Sequence, residues 1–426
     1  MGSEMCIRDR NICLKRIGAF LQYFGSTLAV AVIQVCINPM MAKNLSPEDY
    51  ATIGYFSSFN LLLTPLITFF LTNFYTQRYF KVSEEEKENI KATVMKLAIY
   101  LSFAMAVVSI IGLYVYHVLI NKSSDIPFSP YAFLTIFAIP FTGLYSLKLT
   151  EYRLKREARN FAFVTIANGI LAAALAIAFV VIVKWGAFGR LFATILGNGL
   201  VFGVMVWLER KFLKGRLDCK IVKEVFQFCW PLAIAGMLSF FNAGFDKVLL
   251  ERLGNLSELG YYSVGVQIAG YLTIFSNAVN STFQPDIYEC YSKKNFRKLS
   301  MYVGIIIGSI TICASIYIVL APYIIGLLTA GRYVYSAHYS QIIALSTITA
   351  AIYYSSSQIS IAMGYTKLLM WVKILGGALS ALTFVLLIRY FQFEGAAIGN
   401  VISYLLYFII NVLALWIFKR KELKQR

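Results

Sequence analysis

Apolar residues in this chain run in long unbroken blocks, not in the alternating pattern of a half-buried strand or the one-sided stripe of a surface helix. A helix that crosses hydrocarbon needs roughly 20 mostly apolar residues, because every backbone polar group must be bonded within the segment. Twelve stretches meet that description: 17–41, 50–76, 93–120, 130–150, 161–183, 186–208, 226–250, 259–285, 301–328, 338–363, 368–390 and 395–418. The pattern predicts an all-α integral membrane protein with twelve transmembrane helices. The first stretch follows Arg8, Arg10, Lys15 and Arg16, as the core of a secretory signal would. It is too long for that, and no convincing small-residue cleavage site follows it.

Composition narrows the class. Of 426 residues, 59% are hydrophobic and only 14% charged, against about 25% charged in an ordinary soluble domain. The mean hydropathy is +0.67. A soluble enzyme, a disordered chain and a DNA-binding domain are excluded. The net charge of +18 first suggests a nucleic-acid partner, but the placement of the cations gives another reason. With both termini inside, 31 of the 39 Lys and Arg fall on the inner side. The outer side holds only Lys43, Lys122, Lys184, Arg190, Lys247, Arg252, Arg332 and Arg389. That split is the positive-inside pattern, so the charge reports topology and no nucleic acid is expected. The segment 77–92, with Glu84, Glu85, Glu86, Lys87 and Glu88, is predicted to be a solvated helical hairpin on the cytoplasmic face. Residues 1–10 look foreign to the rest and are expected to be a non-native leader.

The chemistry of catalysis is missing. The seven cysteines (Cys6, Cys13, Cys36, Cys219, Cys229, Cys290 and Cys313) show no CxxC spacing, so neither a disulfide framework nor a zinc site is expected. The two histidines, His117 and His338, sit at span ends without a paired ligand. There is no GxSxG, P-loop or Rossmann glycine pattern. No catalytic residues and no cofactor are expected, and the chain does not read as an enzyme.

The chain does repeat itself. At an offset of 211, Asn44-Leu45-Ser46, Tyr50 and Gly54 fall on Asn255-Leu256-Ser257, Tyr261 and Gly265, five identities in eleven positions. At an offset of 209, Gly186-Ala187 meets Gly395-Ala396. Both matches fall at equivalent places in two six-span halves of the same orientation. This predicts a parallel repeat about a pseudo-two-fold axis along the membrane normal, which is a transporter architecture. The expected parts are a six-helix bundle over 11–208, a cytoplasmic linker over 209–225 and a second six-helix bundle over 226–426.

These same residues carry a family resemblance. Leu45-Ser46-Pro47-Glu48-Asp49-Tyr50 leads into the second span, and Asp246-Lys247 stands near the end of the seventh. Leu259-Gly260-Tyr261-Tyr262 and Phe283-Gln284-Pro285 follow in the eighth. In order and spacing they resemble the polysaccharide repeat-unit (Wzx-like) flippases of the multidrug/oligosaccharidyl-lipid/polysaccharide exporter superfamily. The family usually has Asp-Arg where this chain has Asp246-Lys247. The resemblance covers the chain after residue 15 and implies a MATE-like fold in the plasma (inner) membrane. It implies transfer of undecaprenyl-diphosphate-linked oligosaccharide from the inner to the outer leaflet, for O-antigen, capsule or exopolysaccharide synthesis. It also implies a polysaccharide polymerase and chain-length machinery as partners.

Such a cargo has a charged, hydroxylated headgroup that hydrocarbon excludes. A polar, basic cleft would carry it, and Lys148, Arg190, Lys247 and Lys373 are the cations inside or near spans. Each could instead snorkel to the interface. Asp246 is the acidic residue inside the seventh span; it either pairs with a cation at the outer gate or carries a coupling proton or sodium ion. Tyr50, Tyr131, Tyr261, Tyr262 and Tyr323 at span ends are expected in the interfacial belt. Gln22, Gln34, Asn38, Gln267, Asn277, Asn280 and Gln284 can bond sugar hydroxyls or neighbouring helices. Two rivals stand beside this reading. A cation-coupled multidrug antiporter of the same superfamily usually carries a carboxylate in the first span, and 17–41 has none. A membrane polysaccharide polymerase would be an enzyme with larger outer loops.

Overall fold

The computed structural model describes residues 2–425 except 80, 123, 214–216 and 364, and side chains within 22–417, without 366 and 367. The expected leader 1–10, with Cys6, Arg8 and Arg10, and the Cys13, Lys15 and Arg16 that follow it lie outside the residues whose side chains are described. Among the described residues all regular structure is helical. In chain order the helices are α1 (Gly2–Asn44), α2 (Pro47–Thr68), α3 (Leu71–Tyr79), α4 (Glu84–Leu119), α5 (Tyr131–Phe137) and α6 (Thr142–Leu154). Then come α7 (Ala158–Ala176), continued by a wider π-turn over Ile177–Ile182, α8 (Gly186–Leu208), α9 (Arg210–Leu213), α10 (Cys219–Met237) and α11 (Phe240–Ala243). The remainder are α12 (Phe245–Glu251), α13 (Leu256–Ala269), α14 (Tyr271–Ser292), α15 (Phe296–Leu328), α16 (Ser336–Ala362) and α17 (Thr366–Gln425).

Local sequence sets the ends. Before α2, the Asp49 amide donates to Ser46 Oγ (3.1 Å) and the Ser46 amide to Asp49 Oδ2 (2.9 Å), a reciprocal capping box. The repeated motif caps α13 more simply: Asn255 Oδ1 accepts from the Glu258 amide at 3.0 Å. Ser83 and Glu86 form a second box ahead of α4, where the acidic run Glu84-Glu85-Glu86 meets the positive end of the helix. One break falls inside the predicted span 50–76, and a second falls between the predicted spans 368–390 and 395–418. Phe69 and Phe70 take positive φ (51° and 48°) past Pro65 and bend α2 against α3 by 46°. Gln392 (φ 48°, ψ −124°) divides the run α17.

Eight described helical runs are long and apolar enough to cross a membrane, or nine with the bent pair α2–α3, against the twelve predicted. One of the eight, Leu368–Ile417, is the 50-residue run that Gln392 interrupts. The predicted spans 259–285 and 338–363 are helical but more polar than that standard. The first is split at Gly270 between α13 and α14. The second buries a ladder of serines, including Ser336, Ser340, Ser346, Ser355 and Ser360. The qualifying runs bury only 17% to 44% of their most apolar window inside the protein. The remaining apolar side chains, such as Tyr323 and Leu327, face outward as a lipid solvent requires.

Two compact units result. The first comprises residues 1–44, 63–118 and 128–234, the second 45–62, 119–127 and 235–426. The first centres on Phe74, Val94, Met95, Leu144 and Val225. The second holds a patch around Ile287, Ile306 and Ile310 and an aromatic one around Tyr353, Val372 and Tyr407. Within the second unit the repeated motif meets its own copy. A Cβ on Gly260 would stand 2.0 Å from the Pro47 carbonyl oxygen, and one on Gly54 would stand 2.3 Å from Ser263 Oγ. Glycine at 260 lets the two copies touch backbone to backbone, and glycine at 54 makes room for the Ser263 side chain.

Candidate functional site

Gly244 separates α11 from the short helix α12, whose first turn carries Asp246 and Lys247 into the interior of the second unit. Asp246 is 1% exposed and Lys247 6%. The Asp246 carboxylate is fully engaged by donors. Tyr262 donates its hydroxyl at 2.6 Å, Asn400 its amide at 3.2 Å and the Lys247 backbone its N–H at 2.9 Å. The Lys247 ammonium lies 3.7 Å from Asp246 Oδ1, close enough to be balanced in charge but too far for a hydrogen bond. Among the described residues its three donor hydrogens have no acceptor. The Lys247 stem passes over Gly54, with Cδ 3.7 Å from where a Cβ would be. Ser263 Oγ, buried on the other side of that glycine, has no hydrogen-bond partner among the described residues. Buried polar groups are normally satisfied, and those that are not call for an explanation. Here a buried cation and an orphaned hydroxyl flank one glycine, a pairing suited to an anionic oxygen with a neighbouring hydroxyl.

Lys373 belongs to the same unit and is half-buried, with no ion pair or hydrogen bond among the described residues. One turn on, Gly376 and Gly377 pack under the Tyr407 ring and hydroxyl. Tyr407 in turn belongs to a tyrosine group, with Tyr353 at 5.2 Å between ring centroids and Tyr404 beyond. Of the amides named from the sequence, Asn280 bonds Gln358 across to α16 at 3.3 Å and Gln284 bonds Tyr288 at 2.8 Å.

Lys148 has a different environment. It sits in the first unit, in a buried network with Lys91, Lys155, Glu151 and Glu209. Lys91 reaches Glu151 at 2.9 Å and Glu209 at 2.7 Å, Lys148 reaches both acids, and Lys155 reaches Glu151 at 2.6 Å. The Lys91 ammonium also lies 4.1 Å from the Phe212 ring centre. The hydrogen bond to Glu151 pushes Lys155 above the ordinary lysine range, against its partial burial. A cavity of about 360 Å³ opens beside the network, lined among others by Tyr75, Tyr79 and Lys87. Every charge here has an opposite charge in contact. Arg190 also lies in the first unit, partly buried on the first turn of α8, and it has a partner.

Of the five residues singled out from the sequence, the structure therefore brings Asp246 and Lys247 together, leaves Lys373 without a partner, and ties Lys148 into a network. The sequence reading missed the groups that hold Asp246. Tyr262 was assigned to the interfacial belt but is fully buried, and Tyr50 is buried as well. Tyr323, 79% exposed, keeps the outward position expected of it. The signal for Tyr262 was its place one residue past the repeated tyrosine. Asn400 showed itself only as a lone amide in an apolar run.

Comparison with known proteins adds a lineage. A family described as "Polysaccharide biosynthesis protein" matches residues 40–334. The "Lsg locus putative protein 1" of Haemophilus influenzae is 21% identical over 402 residues, covering 91% of this chain and 96% of that protein. An "Uncharacterized membrane protein" of the same organism is 22% identical over 275 residues, and this chain spans 64% of its length. The fold is that of the lipid II flippase MurJ in an inward closed conformation, with a TM-score of 0.71 at 14% identity. That match covers 92% of this chain and 87% of the flippase. It is also the fold of an inward-facing multidrug MATE transporter of the MOP superfamily, with a TM-score of 0.65 at 13% identity over 92% and 96% of the two chains. The solved relatives of this fold are thus transporters, not enzymes, and this is a multi-pass membrane protein. The family match covers well over half of the chain, and the chain belongs to the polysaccharide biosynthesis protein family.

Proposed function

We propose that this member of the polysaccharide biosynthesis family is a flippase for undecaprenyl-diphosphate-linked oligosaccharide repeat units. It moves them from the inner to the outer leaflet of the plasma membrane by alternating access, the site opening to one leaflet at a time. The product feeds synthesis of a surface polysaccharide such as O-antigen or capsule, with a polymerase and chain-length machinery downstream. Both termini are cytoplasmic, in keeping with the placement of the basic residues.

The observation that carries the reading is the Lys247 ammonium, buried beside Gly54 and the free Ser263 hydroxyl with its donors unspent. A diphosphate oxygen supplies the missing acceptor, and a charge-assisted bond of this kind is worth about 1.5–3 kcal/mol. Lys373, one turn before the Gly376-Gly377 pair that packs under Tyr407, offers a second cation in the same unit. Asp246 is assigned to balancing Lys247, since Tyr262, Asn400 and a backbone amide already occupy its oxygens. A proton or sodium gradient is the energy source by analogy with the superfamily, and no cofactor takes part.

The test is deletion of the coding sequence in the native host, followed by extraction of the lipid-linked glycan. Complete single repeat units trapped on the cytoplasmic leaflet are the expected result. Single units already exposed on the outer leaflet would point to a polymerase and overturn the proposal.

A further inference from the structure

Within the second unit, α14 belongs to a span predicted from the sequence, yet it is too polar to meet the apolar standard that its neighbour α15 meets. The two helices pack along each other, and Val279 and Phe283 of α14 join Ile306 and Ile310 of α15 in one apolar cluster. That cluster sets the depth. α15 is long and apolar enough to span, so this part of α14 stands beside it in the hydrocarbon layer.

The outward sides of the two helices differ. Ser315 apart, every exposed side chain of α15 between 301 and 328 is apolar, with Ile305, Ile312, Ile316 and Val319 among them. α14 instead exposes Thr273, Asn277 and Ser281, spaced four apart and therefore on one face. Thr273 donates its hydroxyl to the Gly270 carbonyl at 2.6 Å and is satisfied within its own helix even in lipid. Asn277 and Ser281 have no hydrogen-bond partner among the described residues. A lone exposed serine such as Ser315 carries little weight, but an amide has two donors and an acceptor, and hydrocarbon offers none of them a partner. Polar side chains at membrane depth face the protein interior or a water-filled space. Asn277 is exposed, so the second applies.

The groups around this face are short of hydrogen bonds too. Gln358 of α16 donates to Asn280 at 3.3 Å, while its own Oε1 is buried without a donor. The chemistry is also neutral. α14 carries no Lys or Arg, and its two acids, Asp286 and Glu289, would repel an anion. An amide and a hydroxyl that both donate and accept match sugar hydroxyls, which do the same.

We propose that the Thr273, Asn277 and Ser281 face of α14 borders water along the route of the cargo, and that Asn277 and Ser281 hydrogen-bond its sugar hydroxyls. This assignment rests on the glycan-lipid flippase reading; it gives the sugars to α14 and leaves the diphosphate to Lys247. It also accounts for the polarity of this span, since one side of the helix meets water and not lipid.

Cysteine labelling in liposomes tests it. Asn277→Cys and Ser281→Cys are made separately in the full-length protein, with Ile312→Cys and Val319→Cys as lipid-facing references. A charged, membrane-impermeant maleimide is present on both sides of the bilayer. Modification is read residue by residue by mass spectrometry, so the native cysteines stay in place. The thiols at 277 and 281 are expected to react, and those at 312 and 319 at least about tenfold more slowly, because apolar surroundings suppress the reactive thiolate. Saturating undecaprenyl-diphosphate-linked oligosaccharide is expected to slow labelling at 277 and 281 at least about tenfold, as at a site about nine-tenths occupied. Undecaprenyl diphosphate without sugars is expected to leave it unchanged. If Asn277→Cys does not fold, Ser281→Cys carries the test. Thiols at 277 and 281 as unreactive as the references, no protection by the glycan lipid, or equal protection by the bare lipid would each overturn the proposal. Translocation of the glycan lipid by the wild type is followed in the same liposomes. Translocation with an unreactive or unprotected face counts against this assignment alone, whereas its absence counts against the flippase reading beneath it.

Discussion

Two buried ionic groups of this protein are built on opposite rules. In the first compact unit, three lysines and two glutamates form a network in which each charge touches an opposite one. In the second, Asp246 is saturated by Tyr262, Asn400 and a backbone amide, while its companion Lys247 is left 3.7 Å away with donors to spare. Both groups are buried and both lie at or near span ends, so charge at depth alone does not identify a site. What separates them is satisfaction. A saturated network fixes helices to each other, whereas the spare donors of Lys247 beside Gly54 are what the proposed function assigns to an anion.

The largest expected effects come from removing an acid, and they should be alike in both groups. Asp246→Ala leaves Lys247 without a counter-charge and the Tyr262 hydroxyl and Asn400 amide without their acceptor. Glu151→Ala strips Lys91, Lys148 and Lys155 of a shared partner. Each is expected to cost about 3–5 kcal/mol, measured as a lower midpoint of thermal unfolding in detergent.

Removing a cation separates the groups. Lys148→Met keeps the stem but breaks two contacts, and a loss of about 1–3 kcal/mol in stability is expected. Transport per folded molecule should stay near the wild type. Lys247→Met leaves the buried Asp246 carboxylate without its cation but with its three donors, so its unfolding midpoint should fall as well, while transport per folded molecule falls at least about tenfold, the equivalent of one lost 1.4 kcal/mol contact. If both variants lost stability and kept transport, the distinction would collapse.

Smaller effects sharpen the picture. Tyr262→Phe removes one donor to Asp246 and should cost about 1–2 kcal/mol, with part of the transport retained because Asn400 and the backbone amide remain. Lys155 is the mildest case. Its titration is raised mainly by the hydrogen bond to Glu151. A raised lysine contributes stability that is full below the ordinary lysine range and is lost as pH climbs through the raised value, so no change is expected near neutrality. In Glu151→Gln the Lys155 titration should return toward the ordinary range, seen by NMR of labelled lysine, with under about 1 kcal/mol at stake in that one contact, whose lysine is half-exposed.

Much of the fold was legible because a lipid solvent writes it coarsely. The apolar blocks, the basic inner loops and the doubled Asn-Leu-Ser…Tyr…Gly motif depend on composition and order, which a linear chain displays. Two predicted spans were harder to classify, since α16 buries serines that a hydropathy average counts against it. The site was legible only in part. Asp246 and Lys247 stood out as charges in an apolar run. The linear chain could not show that Lys148 shares Glu151 and Glu209 with Lys91, because that network exists only once three helices converge. Nor could it distinguish Tyr262, inside the protein, from Tyr323 at its surface, since the same residue type at a span end serves both places.

The central claim is that Lys247 receives the anionic headgroup, and reconstitution tests it most directly. Wild-type, Lys247→Met, Lys247→Arg and Lys148→Met proteins would be placed in liposomes carrying a fluorescent undecaprenyl-diphosphate-linked oligosaccharide, and its arrival in the far leaflet followed by quenching. The account predicts folded but inactive Lys247→Met, partial activity in Lys247→Arg and near-normal activity in Lys148→Met. A Lys247→Met protein that moves the glycan at the wild-type rate would contradict it.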